Sequence, residues 1–219
     1  MDLQFAIDFL TDLAQHNNKE WMDDNKKRYQ EAKKQIIELV AEVLAQSSKF
    51  DSALEGIDPK KTLFRINRDI RFSKTKDPYK TNFGASLVEG GRKSGNPGYY
   101  LHIMPNNHFF GGGIYQPDAS TLQKVRQEID YNGSSLRKII DDKAFKALYP
   151  SPHVEDRLKT APKGYPKDHP DLDLLQLKHY VYMKPVPQKE VVGQSFVEQV
   201  VTAFQTLHPF NQFLKEALG

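Results

Sequence analysis

Six cationic side chains fall within the sixteen residues "RINRDIRFSKTKDPYK", Arg65 to Lys80. Arg65, Arg68 and Arg71 recur every third residue, and Lys74, Lys76 and Lys80 follow. A guanidinium is a planar, permanently charged fork that pairs with phosphate or carboxylate through two parallel hydrogen bonds, and a lysine adds a point charge beside it. The residue types therefore suit one kind of chemistry, the holding of an anion.

The surrounding chain does not share this charge. The segment sets six cations against Asp69 and Asp77, whereas the remainder carries 25 basic and 26 acidic residues, so the net +3 of the protein is concentrated here. Left unpaired, the cations repel one another, and two resolutions are open. Acids such as Asp69, Asp77 or Asp23 pair with them internally, a reading that suits Arg68 on the apolar side of the pattern. Alternatively an external anion sits where they converge, a phosphate-bearing ligand such as a nucleotide or a nucleic acid. The candidate binding residues are Arg65, Asn67, Arg68, Asp69, Arg71, Lys74, Lys76, Tyr79 and Lys80, with Tyr79 and Tyr115 as stacking surfaces.

Other chemistries are tested by spacing. Cysteine is absent, which removes disulfides, thiolate nucleophiles and cysteine-ligated metals. The seven histidines are scattered, so no metal site and no cofactor is expected. "EGGRKSG" lacks the glycine directly before Lys93 that a phosphate loop requires and reads as a surface loop. Gly111, Gly112 and Gly113 are not a dinucleotide fingerprint; they read as close strand packing, with a backbone bared for a ligand as the alternative. "HPDLDLLQLK" offers Asp171, Asp173 and Lys178 as a faint imitation of a nuclease site, but reads first as a helix start with acids at its positive end. Two further readings stay open. One is an enzyme acting on a small acidic metabolite, with Asp69, Tyr79 or His102 as acid or base; the other is an interaction protein whose charges hold the fold.

These residues need elements to position them. Phe5, Phe9 and Leu13 lie at helical spacing, and Asn17 and Asn18 mark a break before a longer amphipathic run through Trp21, Tyr29, Ile36 and Val43. From Thr62 the period falls to two, placing Phe64, Ile66, Ile70 and Phe72 on one face of an expected strand. "TNFGASLV" reads as a short strand, and "YYLHIM" with "HFFGGGIY" as a β-hairpin. Helical patterns return after Pro117 with Asp118 or Ser120 as cap, a strand is expected around Tyr180 to Met183, and a last amphipathic helix runs from Phe196 to Leu207. This pattern predicts one α+β domain over residues 1–219, a central mainly antiparallel sheet flanked by N-terminal and C-terminal helices. No apolar run approaches a membrane span, and the acidic start "MDLQFAIDFL" is unlike a signal peptide, so a cytoplasmic protein with no membrane partner is expected.

"LFRINRDIRFSKTKDPYKTNFGA", together with "NNKEWMDDNKKRY", "GYYLHI", "GGGIYQPD" and "LKTAPKGYPKDHPDLDLLQLKHY", resembles the bacterial and fungal family named domain of unknown function 2461. The likeness covers nearly the whole chain. It implies that Trp21, Asn25, Lys26 and Tyr29 belong to the family pattern, as do Arg65, Asn67, Arg68, Asp69, Arg71, Phe72, Ser73, Lys74, Lys76, Pro78, Tyr79 and Lys80. Thr75 stands where the family usually carries an acid, and Met22 where an aromatic is usual. The resemblance implies no activity.

Overall fold

The computed structural model describes residues 3–71 and 74–219; Phe72, assigned above to the apolar strand face, and Ser73 lie outside the described residues. The fold is α+β. Helices α1 (Leu3–Gln15), α2 (Lys19–Asp24), α3 (Lys26–Ser47) and α4 (Pro59–Thr62) precede strands β1 (Phe83–Leu87), β2 (Gly98–Ile103) and β3 (His108–Ile114). Then come α5 (Ala119–Ile140), α6 (Lys143–Leu148), α7 (Leu172–Leu175), β4 (Tyr180–Val186), α8 (Gln188–Val191) and α9 (Phe196–Leu218). The four strands form one antiparallel sheet in the order β1-β2-β3-β4.

Two expected elements differ. The amphipathic run from Trp21 is not continuous, because the Asn25 side-chain amide donates to the Trp21 carbonyl (2.9 Å) and its backbone leaves helical geometry, splitting α2 from α3. The strand expected from Thr62 does not form. Asp58 caps a helical turn that begins at Pro59 and takes in Thr62, a proline-first start that competes with extension. Beyond it, among the described residues, the segment keeps only isolated bridges, Leu63 with Ala85 and Asn67 with Tyr79.

The chain divides into two compact units, the first comprising residues up to Leu87 with Tyr100–Phe110 and Pro185–Thr202. Its core sets Phe9, Leu10 and Leu13 of α1 and Ile36, Leu39 and Val43 of α3 out of water. An aromatic chain links these helices to the sheet: Trp21 and Tyr29 both lie within 5.9 Å of Phe9, and Tyr29 stacks on Phe83 of β1 at 6.4 Å. Arg28 lies over the Trp21 ring and pairs with Asp12 at 2.6 Å. The family-pattern residues Trp21, Asn25 and Tyr29 are thus packing and turn residues of this unit. Strand alternation buries Leu101, Ile103 and Phe110, the last against Phe196, and leaves Tyr100, His102 and Phe109 half-buried on the other face.

The second unit comprises Val88–Tyr99, Gly111–Lys184 and Ala203–Gly219. Tyr182 of β4 packs edge-on against Phe145 (4.9 Å) and Phe210 (5.0 Å), and the hydroxyls of Tyr149 and Tyr180 donate to the Ala203 and Leu174 carbonyls. The glycine triplet is a packing device here. A side chain at Gly111 or Gly113 would enter the Tyr182 or Tyr180 carbonyl, and one at Gly112 would meet Gly98 and Leu207; Gly113 also has φ +118°.

Candidate functional site

Residues 65–71 and 74–80 lie against each other as the two arms of an irregular hairpin. The Arg68 N–H donates to the Pro78 carbonyl (2.9 Å) and the Lys80 N–H to the Ile66 carbonyl (2.7 Å), on either side of the Asn67–Tyr79 bridge. Asn17, in the turn between α1 and α2, reads the outer strand of this hairpin as a partner strand would. Its amide donates to the Tyr79 carbonyl (3.0 Å) and its oxygen accepts from the Tyr79 N–H (3.1 Å). The Tyr79 ring is buried, so this residue anchors the hairpin base through its backbone and its ring together.

Inside the hairpin the cations have different partners. Arg71 makes a two-pronged contact with Asp69, Nε at 2.9 Å and Nη2 at 2.7 Å, and the Arg71 N–H also donates to Asp69. The Arg71 side-chain and backbone donors hold the Asp69 carboxyl below its usual range, and Asp69 in turn raises Arg71. Arg68 spans the loop, donating to Thr75 Oγ1 at 2.8 Å and lying 3.7 Å from the Asp77 carboxylate. Lys76 donates to the Ile70 carbonyl at 3.2 Å. Asp23, the third acid considered for this role, pairs with Lys19 instead. Arg65 and Lys74 are exposed and form no ion pair among the described residues. Arginine heads thus end partly on carboxylates, while part of the charge stays in water.

Lys80 lies 5.4 Å from the centre of the Phe64 ring, a cation over an aromatic face. From Phe64 a continuous shelf of rings extends over the half-buried face of the sheet. Phe64 meets Tyr100 edge-on at 6.1 Å, and Tyr100 lies 5.8 Å from Phe109. His102 stacks on Phe109 at 4.4 Å with 12° between planes, and the Tyr100 hydroxyl is 3.1 Å from His102 Nδ1. Gly84 makes room for this arrangement, because a side chain there would collide with the Tyr100 hydroxyl. Burial, with the nearby His108 discouraging a second proton, brings His102 down to about 4, so its imidazole is neutral at physiological pH. His108 is also lowered by burial. The Gln188 amide opposes that shift, but neither His108 ring nitrogen meets a hydrogen-bond geometry among the described residues.

The structure therefore brings Phe64, Tyr100, His102, Phe109 and Lys80 together, and Arg65 adjoins Phe64 in sequence. Sequence reasoning placed Tyr100 and Phe109 only as strand residues. The available signal was the alternation in "YYLHI" and "HFF", which sets aromatic or imidazole rings on both faces of a hairpin where one face needs only a core. Tyr115, the other stacking candidate, is half exposed and donates to Glu155 at 2.8 Å. Asp171 and Asp173 do stand at the start of α7, as N-cap and first-turn acid, and both also receive Arg137 of α5. Among the described residues no three His, Asp or Glu side chains gather closely enough to hold a metal ion.

No helix among the described residues is long and apolar enough to cross a membrane. No curated protein and no solved structure matches the chain significantly. A family profile does match, over residues 5–213. With its sheet and the hairpin inside that match and only the outer ends of α1 and α9 beyond it, the chain belongs to the family described as conserved hypothetical protein (DUF2461).

Proposed function

We propose that the first unit binds a phosphate-bearing ligand with a flat base, a nucleotide or single-stranded nucleic acid. The observation that carries this reading is the ring shelf Phe64–Tyr100–His102–Phe109 with Lys80 over its end, beside a hairpin whose Arg65 and Lys74 remain in water. Single-stranded ligands are held by this combination, rings for the bases and cations for the backbone, and each stacked base contributes about 1–3 kcal/mol. The neutral His102 ring stacks without demanding a counter-ion. In this reading the Arg71–Asp69 and Arg68–Asp77 pairs set the hairpin's shape, and Arg65, Lys74 and Lys80 supply the phosphate contacts.

Fluorescence polarisation with labelled single-stranded DNA and RNA and with nucleotides tests it. For three phosphate contacts, log affinity falls with log salt at a slope of about −2. Tyr100→Ala weakens binding about tenfold or more at every salt concentration, whereas Lys80→Ala makes the slope shallower by about one contact. Binding that ignores salt, or that survives both substitutions unchanged, refutes the reading.

A further inference from the structure

Charge is unevenly placed along the ring shelf of the first unit. Strand alternation sets Gly84 and Ser86 of β1, Tyr100 and His102 of β2 and Phe109 of β3 on this face of the sheet. The alternate positions, Phe83, Ala85, Leu87, Leu101, Ile103 and Phe110, are core. None of the five shelf-face residues carries a fixed charge. His102 is the one among them able to become cationic, and burial keeps it neutral at physiological pH.

The cations lie at one end. The Lys80 N–H donates to the Ile66 carbonyl (2.7 Å), which sets Lys80 and Arg65 together at the base of the hairpin. That base adjoins β1, because the Phe64 N–H donates to the Gly84 carbonyl at 2.9 Å. Lys80 stands 5.4 Å from the centre of the Phe64 ring, and Arg65, next to Phe64 in the chain, is exposed. From Phe64 the shelf passes through Tyr100 to the His102 and Phe109 rings, which stack on each other at 4.4 Å. The shelf therefore has a cationic end and an uncharged end.

This polarity separates two shapes of ligand. An internal stretch of single strand places a phosphate between successive bases, and proteins that hold one carry positive charge along the whole path of its backbone. The shelf-face residues of β2 and β3 supply no such charge. A nucleoside 5′-polyphosphate has the opposite layout, with an uncharged flat base at one end and its phosphates gathered at the other.

We propose that the shelf is a site for a nucleoside 5′-polyphosphate, its base on Tyr100, His102 and Phe109 and its phosphates toward Phe64, met by Lys80 and Arg65. This assignment rests on the shelf's being a nucleotide or single-strand site and narrows it to the first. Ring faces stack on every base, so the number of phosphates governs affinity more than the identity of the base.

Titration calorimetry of the full chain at constant ionic strength tests it, with adenosine, AMP, ADP and ATP and with short and long oligodeoxyadenylates lacking terminal phosphates. Affinity rises in the order adenosine, AMP, ADP, ATP, by about two- to fivefold for each phosphate, the range of exposed ion pairs. Lengthening the strand gains less than about tenfold, since added phosphates meet no added cations. Arg65→Gln, at an exposed position, narrows the ratio of ATP to adenosine affinity by about two- to fivefold, whereas Phe109→Leu weakens both ligands by the same factor. A strand that outbinds ATP and tightens steadily with length overturns the proposal in favour of a strand site. Equal affinity for adenosine and ATP overturns it by showing that the cations take no part. Absence of binding by every ligand removes the underlying reading of the shelf, and this assignment with it.

Discussion

Arg71 and Arg137 are both arginines held by two nitrogen-to-carboxylate contacts, yet their surroundings differ. Arg71 reaches a neighbour two residues away on an exposed loop, with three quarters of its side chain in solvent. Arg137 reaches from α5 to Asp171, 34 residues away, with the acid side chain 13% exposed and pressed against Gly133. In water a local pair gains little, because solvent already screens both charges and the side chains lose freedom in meeting. A pair that joins distant segments and is shielded from water leaves a stranded charge when one member is removed. The sequence concentrates its positive charge in the hairpin, but the better shielded, long-range pair belongs to Arg137, in a stretch of ordinary composition.

Four measurements break or sharpen this contrast. The largest effect is expected for Arg137→Ala, which strands Asp171 and Asp173 and lowers unfolding free energy by about 2–4 kcal/mol in urea titration; a loss too small to measure would place both networks in one class. Next is acid. His102 titrates near 4 when folded against about 6.5 in the unfolded chain. A depressed histidine means that the unfolded state takes up the proton first. Its contribution is fully present above pH ~6.5 and is lost as pH falls from there toward 4, by about 2–3 kcal/mol. His108, lowered by the same cause, acts in the same direction. The check is the urea midpoint from pH 7 to 4, with His102→Gln flattening the decline; a parallel decline in that variant would assign the loss elsewhere.

Asn17→Ala comes third. It orphans the Tyr79 N–H and carbonyl and costs about 1–2 kcal/mol, with hydrogen exchange accelerated across 65–80 before the rest of the chain. Uniform acceleration would contradict the clamp. Smallest is Arg71→Ala, for which the thermal midpoint stays where it was; a clear drop would mean that the exposed pair holds more structure than its surroundings allow.

Much of this architecture was legible. Apolar periodicity marked α1, α3, α5 and α9, the turn at Pro105 to Asn107 marked the β2–β3 hairpin, and Asp118 caps α5 through the Thr121 N–H as its type and position suggested. The helical pattern expected after Pro117 forms α5, which runs on through a kink at Asn132, and the break before α6 falls at Asp141 and Asp142. The strand from Thr62 was misread because alternation records which residues avoid water, not which partner pairs with them, and here the hairpin pairs with itself. The charge of the candidate site was plain in the sequence. Its ring shelf was not, because Phe64 meets Tyr100 only through the fold.

The amide of Asn17 has one more consequence. It meets the backbone of Tyr79 across 62 residues of chain, engaging both the N–H and the carbonyl of that one residue. Such a grip admits a single register, because a slip of one position would offer it Pro78, which has no N–H, or Lys80, whose N–H is already given to Ile66.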